Sequence, residues 1–302
     1  MTMRTWSFRP VVHGHRMGLG RPARPREEMA IMYLPVTVGV DGSPESLAAA
    51  DLAAEEAALR QRPLRVLHAL PLMPHLLPTG SRLWSARRGI LAEVQHVLAV
   101  RHPGLSVRTD EVYDVATAAL VAAAEDAELL VLAARGDGGF PGLRVGATAL
   151  HVAGRAGCPV VVVPAEAADP VPREQVVIGV DTRRPAEAAL DFAFDAARRC
   201  GLQVRALHAW APVDPPARAK SQLAEHDLLA RAIAPWRAAH PDVQVVADAE
   251  PGGAGQMLVD ASAKARLVVL GQRHAASLGH LGPVAHAVLH HAACPMALVP
   301  ES

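Results

Sequence analysis

One pattern is written twice in this chain, and that repeat constrains the fold more than any single residue does. Val36-Thr-Val-Gly-Val-Asp41 returns as Val176-Val-Ile-Gly-Val-Asp181, 140 positions later. Arg65-Val-Leu-His-Ala69 returns as Arg205-Ala-Leu-His-Ala209 at the same offset. Leu130-Val-Leu-Ala133 returns as Val268-Val-Leu-Gly271 after 138 positions, and Cys158-Pro-Val160 as Cys294-Pro-Met296 after 136. The order is kept while two short deletions shift the offset. Solenoid units run to roughly 20–50 residues, so a period this long points to two whole domains.

The 302 residues suffice for two domains of ordinary size. Apolar residues make up 51% and aromatics only 3%, so each core must be built from Val, Leu and Ala. A formal net charge of zero gives no global argument for nucleic acid or an anionic membrane as partner. Three scattered cysteines (Cys158, Cys200, Cys294) do not form a disulfide framework and suggest a reducing, cytoplasmic setting. No apolar run of about 18 residues is present, so no transmembrane helix is expected. Residues 1–26 carry six arginines and no acid, without the apolar stretch of a secretory signal. Residues 1–33 are expected to be a disordered arm, or an extension ahead of a later start at Met29 or Met32.

Within each repeat, strands and helices alternate. Val36–Val40 reads as a buried strand ending at Asp41, followed by a turn at Gly42, a capping Ser43 and Pro44 near the first helical position. The next helix carries Ala50, Ala53, Ala54 and Ala57 at i, i+3, i+4 and i+7, matched by Leu190, Ala193, Phe194 and Ala197 in the second copy. Strands over 64–70, 105–112, 128–133 and 159–163 are expected, with helices within 82–100 and 115–126 and from about Thr148. Continuous Val/Leu strands separated by helices imply a parallel sheet covered on both faces, an α/β class. Residues 34–164 and 176–300 are read as the two domains and 165–175 as their linker. In such a sheet the ligand crevice lies beyond the carboxyl ends of the strands. Asp41, the His68-Ala69 pair and the loop after the fourth strand all fall there.

That loop runs from Ala133 through Gly136, Gly138, Gly139 and Gly142 to Gly146-Ala147-Thr148. Glycines let backbone N–H groups approach phosphate oxygens, and a helix start adds unpaired donors. The only lysines are Lys220 and Lys264, so a Walker A loop is excluded in the first domain. The second loop, Gly271 to Pro283, is shorter; His274 and Pro283 stand where the first has Gly136 and Ala147.

The strand-one Asp, the strand-two His-Ala, a loop resembling G-x2-G-x9-G-[S/T] and a final Cys-Pro-Val strand together resemble the universal stress protein family, in its tandem form. The resemblance spans residues 34–164 and 174–300. It implies a five-stranded parallel sheet with helices on both faces in each domain, Rossmann-like and akin to the adenine nucleotide alpha-hydrolases. It implies ATP, with or without Mg2+, as ligand of the first domain only. Carried over, the contacts are Asp41 and Ala69 toward base and ribose, Gly136, Gly146, Ala147 and Thr148 toward the phosphates, and Gly42 as a further cofactor-binding residue. Ala133 and Ala147 depart from the pattern, standing at a Gly and an [S/T] position. The second domain reads as a degenerate site, closed to a triphosphate but open to a shorter anion or a different nucleotide. The resemblance further implies a stress-response or signalling protein with little or no turnover, acting on an unidentified protein partner. The final strands are expected to pair inside the chain as a pseudo-dimer, which leaves room for a homodimer; a ligand-free scaffold is the alternative. A true nucleotide-handling enzyme is the third reading, with Gly42-Ser43 and His280-Leu-Gly-Pro as its faint signals and no Ser/His/Asp order, catalytic carboxylate pair or zinc set beside Asp41 or Asp181.

Other residues have plainer readings. His286 and His290 are spaced for a metal but lack completing ligands, so solvent-facing or interdomain roles are expected. His68 and His208 recur at matched strand ends, which suggests fold geometry first. Cys158 and Cys294 read as small buried residues.

Overall fold

The computed structural model describes residues 33–70, 89–137, 144–165, 173–211, 215–272 and 281–301. Residues 1–32 of the expected arm, 166–172 of the linker, and 138–143 and 273–280 of the two loops lie outside the described residues.

In the first half the elements are β1 (Val36–Gly39), α1 (Pro44–Arg60), β2 (Leu64–Leu70), α2 (Ile90–Arg101), β3 (Val107–Tyr113), α3 (Ala116–Glu125), β4 (Leu129–Ala133), α4 (Ala147–Ala153) and β5 (Val160–Val163). The second half has β6 (Gln175–Gly179), α5 (Glu187–Cys200), β7 (Gln203–Trp210), α6 (Pro215–Ala239), β8 (Val245–Pro251), α7 (Ala254–Ser262), β9 (Ala265–Gln272), α8 (Pro283–His291) and β10 (Met296–Pro300). All ten strands form one sheet in the order β3-β2-β1-β4-β5-β10-β9-β6-β7-β8. Within each half the pairing is parallel. The halves join through β5 and β10, which run antiparallel with Val161 opposite Ala297. The expected pairing of the final strands is therefore present within one chain.

The sheet is buried between two helical layers. One core holds Val36, Val38, Leu129 and Val131 beneath α1 and α2, and continues into Val176, Ile178 and Val269 beneath α5 and α6. The other holds Leu130, Leu132, Val160 and Val162 beneath α3 and α4, and continues into Val268, Met296 and Leu298 beneath α7 and α8. Alternate residues of a strand thus enter opposite cores, as the period of two requires. Both helix stripes seen in the sequence, Ala50 to Ala57 and Leu190 to Ala197, are buried on the same layer.

Local chemistry fixes the helix ends. Ser43 caps α1, its side chain accepting from the Ser46 N–H at 3.1 Å, with Pro44 following at the first turn. Gln61 closes that helix at a positive φ of 55°, and Gly201 closes α5 at 64°. Where the two halves meet on this layer, the buried Arg60 donates from Nε to Glu56 at 3.2 Å and lies 5.1 Å from the ring centre of Phe192. Arg266 reaches back to Glu55 at 3.1 Å.

Because both cores run through the β5–β10 seam, the two halves should unfold together. Leu298→Ala removes a fully buried side chain opposite Val160. It should cost about 2–5 kcal/mol while the transition stays single. Urea unfolding followed by circular dichroism checks this; two separated transitions in the wild type would contradict it.

Candidate functional site

Beyond the carboxyl ends of β1, β2 and β4 lies a cavity of about 390 Å³. Its floor is apolar: Gly39, Leu67 and Leu132 from the strands, and Ala116 and Leu120 from α3. Its rim is Asp41, Ala69, Gly136, Gly146, Ala147 and Thr148, with Ala133, Ala134 and Arg135 along one side. Six of the seven residues expected at the site therefore face this space. Gly42 does not line it; it makes the turn after β1 at a φ of +89°, where a side chain would strain the backbone and press on Ile90.

Asp41 is the hub of the rim. Its Oδ1 accepts from the Ser43 hydroxyl at 2.6 Å and the Ser43 N–H at 3.0 Å. Its Oδ2 accepts from the Asp137 N–H at 2.8 Å, which holds the glycine loop down onto the first turn of α1. Burial pushes the Asp41 carboxyl up, but the Ser43 hydroxyl and the amides of Asp137 and Ser43 outweigh it and hold the pKa below the ordinary aspartate value. Arg135 adds a second tie across the same gap, pairing with Glu45 at 3.0 Å. Both oxygens of Asp41 are thus engaged with the protein itself.

The glycines of the loop have different jobs. A Cβ on Gly136 would stand 2.0 Å from Asp41 Oδ2, so this glycine is required by the clamp. A Cβ on Gly146 would meet only the Ala134 carbonyl, at an ordinary 3.6 Å, and its φ is −81°. The fold does not need a glycine there. The Gly146 N–H itself donates to Ala134 O at 2.7 Å, and the first bond along α4 is Leu150 N–H to Gly146 O. Ala147, Thr148 and Ala149 precede that bond, so their N–H groups have no partner within the helix. Ala133, at the expected glycine position, ends β4 paired to Val163 in extended conformation. Among described non-glycine residues only Gln61 has a positive φ, so alanine at 133 meets no backbone obstacle.

The matched end of the second half holds a cavity of about 410 Å³. Asp181, His208, Ala209, Gly271, Gly282, Pro283 and Val284 line it. The Asp181 Oδ1 accepts from the Arg183 N–H at 3.1 Å. The strand-end histidines tie neighbouring strand ends in the same way in both halves: His68 Nδ1 meets Val40 O at 2.7 Å, and His208 Nδ1 meets Val180 O at 2.9 Å. His208 also reaches Glu225 at 3.1 Å through Nε2, while His68 Nε2 is buried without a partner among the described residues.

The remaining chemistry-bearing residues stay plain. His286 and His290 stack with ring centres 4.5 Å apart, and burial, then His286 and His291, push the His290 pKa down. Among the described residues no group of three His, Cys, Asp or Glu is placed to hold a metal. Burial pushes the Cys158 thiol to about 11 and the Cys294 thiol to about 12, so both stay protonated at neutral pH. No helix among the described residues is long and apolar enough to cross a membrane.

Sequence reasoning did not reveal Leu67, Ala116, Leu120 and Leu132 as the floor, nor the Arg135–Glu45 tie. The repeat itself held the signal for the floor, since Ala116 and Leu120 return as Ala254 and Leu258.

The clamp makes two predictions. Gly136→Ala should destabilise the chain by about 1–3 kcal/mol by displacing a half-buried carboxylate from its donors, while Gly146→Ala stays near neutral; equal losses in urea unfolding would contradict the division of roles. Asp41 has a depressed folded pKa, so near the ordinary value of about 3.9 the unfolded chain holds more protons and stability rises with pH. Its contribution is complete above that value and lost as pH falls through the lower folded one. The stability difference between wild type and Asp41→Asn should shrink across that acid window and stay flat above pH 6; a flat difference throughout would refute it.

The geometry agrees with what this chain is similar to. The Universal stress protein family model matches residues 32–164 and again 172–300. A universal stress protein of Mycobacterium tuberculosis is 34% identical over 288 residues, covering 88% of this chain and 97% of the relative. A second one from the same organism is 31% identical over 291 residues, covering 89% and 97%. The crystal structure of a universal stress protein from Archaeoglobus fulgidus superposes with a TM-score of 0.67, at 14% identity, over 90% of this chain and 98% of that one. With its model matched in both halves and full-length relatives above 30% identity, the chain belongs to the universal stress protein family.

Proposed function

We propose that the first half binds ATP, with or without Mg2+, and that the chain works as a nucleotide-responsive stress or signalling protein with little or no turnover. The observation that carries this reading is Gly146. The fold has no steric need for a glycine there, yet a glycine opens the rim of a 390 Å³ cavity next to Ala147, Thr148 and Ala149. Those three residues offer backbone N–H groups, and Thr148 adds a hydroxyl, toward phosphate oxygens. The apolar floor between Leu67, Leu120 and Leu132 suits a planar base. Asp41 acts here mainly by holding the loop in place, with one lone pair of Oδ2 left over. No cationic side chain is needed at the phosphates, and the Arg135 charge is spent on Glu45. Bound nucleotide would tighten the loop against α1, which is a surface change a protein partner can read.

The β5–β10 seam favours a second reading of the same chain as a paired scaffold, its two halves presenting a fixed surface to a partner. Calorimetry separates the two. Wild type should bind one ATP in the first cavity without hydrolysing it, and ATP at about 100 times its Kd should add about 2.7 kcal/mol of stability. Gly146→Val should weaken binding about tenfold or more without changing the unfolding midpoint of the free chain. No heat and no thermal shift at millimolar ATP would leave the scaffold reading standing instead.

A further inference from the structure

The two cavities differ in one half and agree in the other. Along the floor and the adjoining rim, Gly39, Asp41, Leu67, Ala69, Leu120 and Leu132 of the first recur as Gly179, Asp181, Leu207, Ala209, Leu258 and Leu270 of the second. The strand registers beneath them recur too: Gly39 lies beside Leu67 as Gly179 lies beside Leu207, and Val38 beside Val131 as Ile178 beside Val269. The identity is therefore one of place as well as type. The volumes are close, about 390 and 410 Å³.

The phosphate-facing side recurs only in part: Gly282 stands at the start of α8 as Gly146 does at the start of α4. Pro283 stands where the first half has Ala147 and has no N–H to give. Val284 replaces Thr148 and removes the hydroxyl. Glu301 replaces Ala165; its Oε1 lies 3.2 Å from where a Cβ of Gly271 would be, buried and without a hydrogen-bond partner among the described residues. A carboxyl group beside a lining residue gives an anion no favourable partner at that end.

We propose that the second cavity binds an uncharged nucleoside and rejects the corresponding triphosphate. It keeps the surfaces that would hold a base and sugar; on the phosphate side it keeps Gly282 at the helix start but has lost one N–H and the hydroxyl. The second half is then a separate sensor with its own ligand class. This rests on reading the first cavity as a nucleotide site, since the comparison assigns the two ends of the second.

The test uses the full chain and adenosine and ATP as probes. In Gly146→Val protein, whose first site is weakened at its phosphate rim, adenosine should bind at the second cavity, and ATP there about tenfold more weakly or less. Adding Ala254→Phe, which fills the second cavity from the first turn of α7, should abolish the adenosine signal. Azidoadenosine photolysis of the Gly146→Val protein, which does not depend on that second substitution folding well, should label the peptide carrying Met257. Giving the second half the residues of the first, by Pro283→Ala, Val284→Thr and Glu301→Ala together, should raise ATP affinity about tenfold with adenosine affinity little changed. Absence of adenosine binding at millimolar concentration, labelling elsewhere, or ATP binding as tightly as adenosine would overturn the proposal. If wild type binds ATP and Gly146→Val does not bind adenosine, this inference falls alone. If Gly146→Val binds adenosine while no variant binds ATP, the first-site reading falls and the second cavity keeps its nucleoside.

Discussion

Everything in this molecule is arranged around the antiparallel pairing of β5 and β10. Two five-stranded parallel sheets would each present a bare edge at their last strand, with unpaired N–H and C=O groups along Val160–Val163 and Met296–Pro300. Pairing them satisfies both edges inside one chain and turns two sheets into one. Since the seam is antiparallel and every other pairing is parallel, the strands of the two halves run in opposite directions. The carboxyl ends of the first half's strands therefore lie at the opposite edge of the sheet from those of the second. Each half keeps its crevice beyond its own strand ends, so the cavities open on opposite sides and no single ligand spans them. Any coupling between them must pass through the sheet and the shared cores. Equivalent helices share a layer, with α1 and α5 over one face and α3 and α7 over the other. That is the symmetry of a two-fold dimer built from one chain.

Within the first half the decisive contact is Asp41 to the loop. A carboxylate that meets two donors at one oxygen and a loop amide at the other is committed to geometry before any ligand arrives. It fixes where Asp137 lies and, through the space it fills, why residue 136 has no side chain. A glycine in a ligand-binding loop is easily assigned to the ligand. Here the near-contact with Oδ2 assigns Gly136 to the protein, and the open surroundings of Gly146 leave that one to be explained by something outside the fold.

Much of this was legible in the sequence for definite reasons. The repeat revealed two copies of one fold. Val-rich runs and alanine stripes placed most elements of the first half to within a few residues, since a strand buried on both faces leaves a continuous apolar run and a helix over it a stripe of alanines; residues 82–88 of the helix expected within 82–100 lie outside the described residues. The turn Gly42-Ser43-Pro44 carried its own capping chemistry. What stayed hidden was whatever depends on side chains meeting across sequence. Nothing in the words Glu45 or Arg135 says that they pair 90 positions apart. Nothing in Leu120 marks it as cavity floor instead of core, since both uses want the same apolar residue. The strand expected over 128–133 already reached Ala133; the coordinates add its pairing with Val163, which is why an alanine is acceptable there.

The same limit explains why the second half looked merely degenerate. Read as a string, a site that has lost its glycine spacing and gained a proline is a damaged copy of the first. Read as a surface, the losses fall on one side. Random decay of an unused pocket would strike the floor as often as the rim, and the cheapest decay of a cavity is to fill it, since burying one more methylene returns about 0.8 kcal/mol. Part of the lining is unchanged, with Gly179 still a glycine under Leu270 and Ala209 and Ala254 still small beside an open space of about 410 Å³, while Met257 stands where the first half has Ala119. Gly179 is held by packing alone, because a Cβ there would come within 2.6 Å of Leu270. Ala209 and Ala254 have no such excuse in their partly exposed positions. A space kept open by small residues, with its anion-holding side selectively rewritten, is better explained by a change of ligand than by the loss of one.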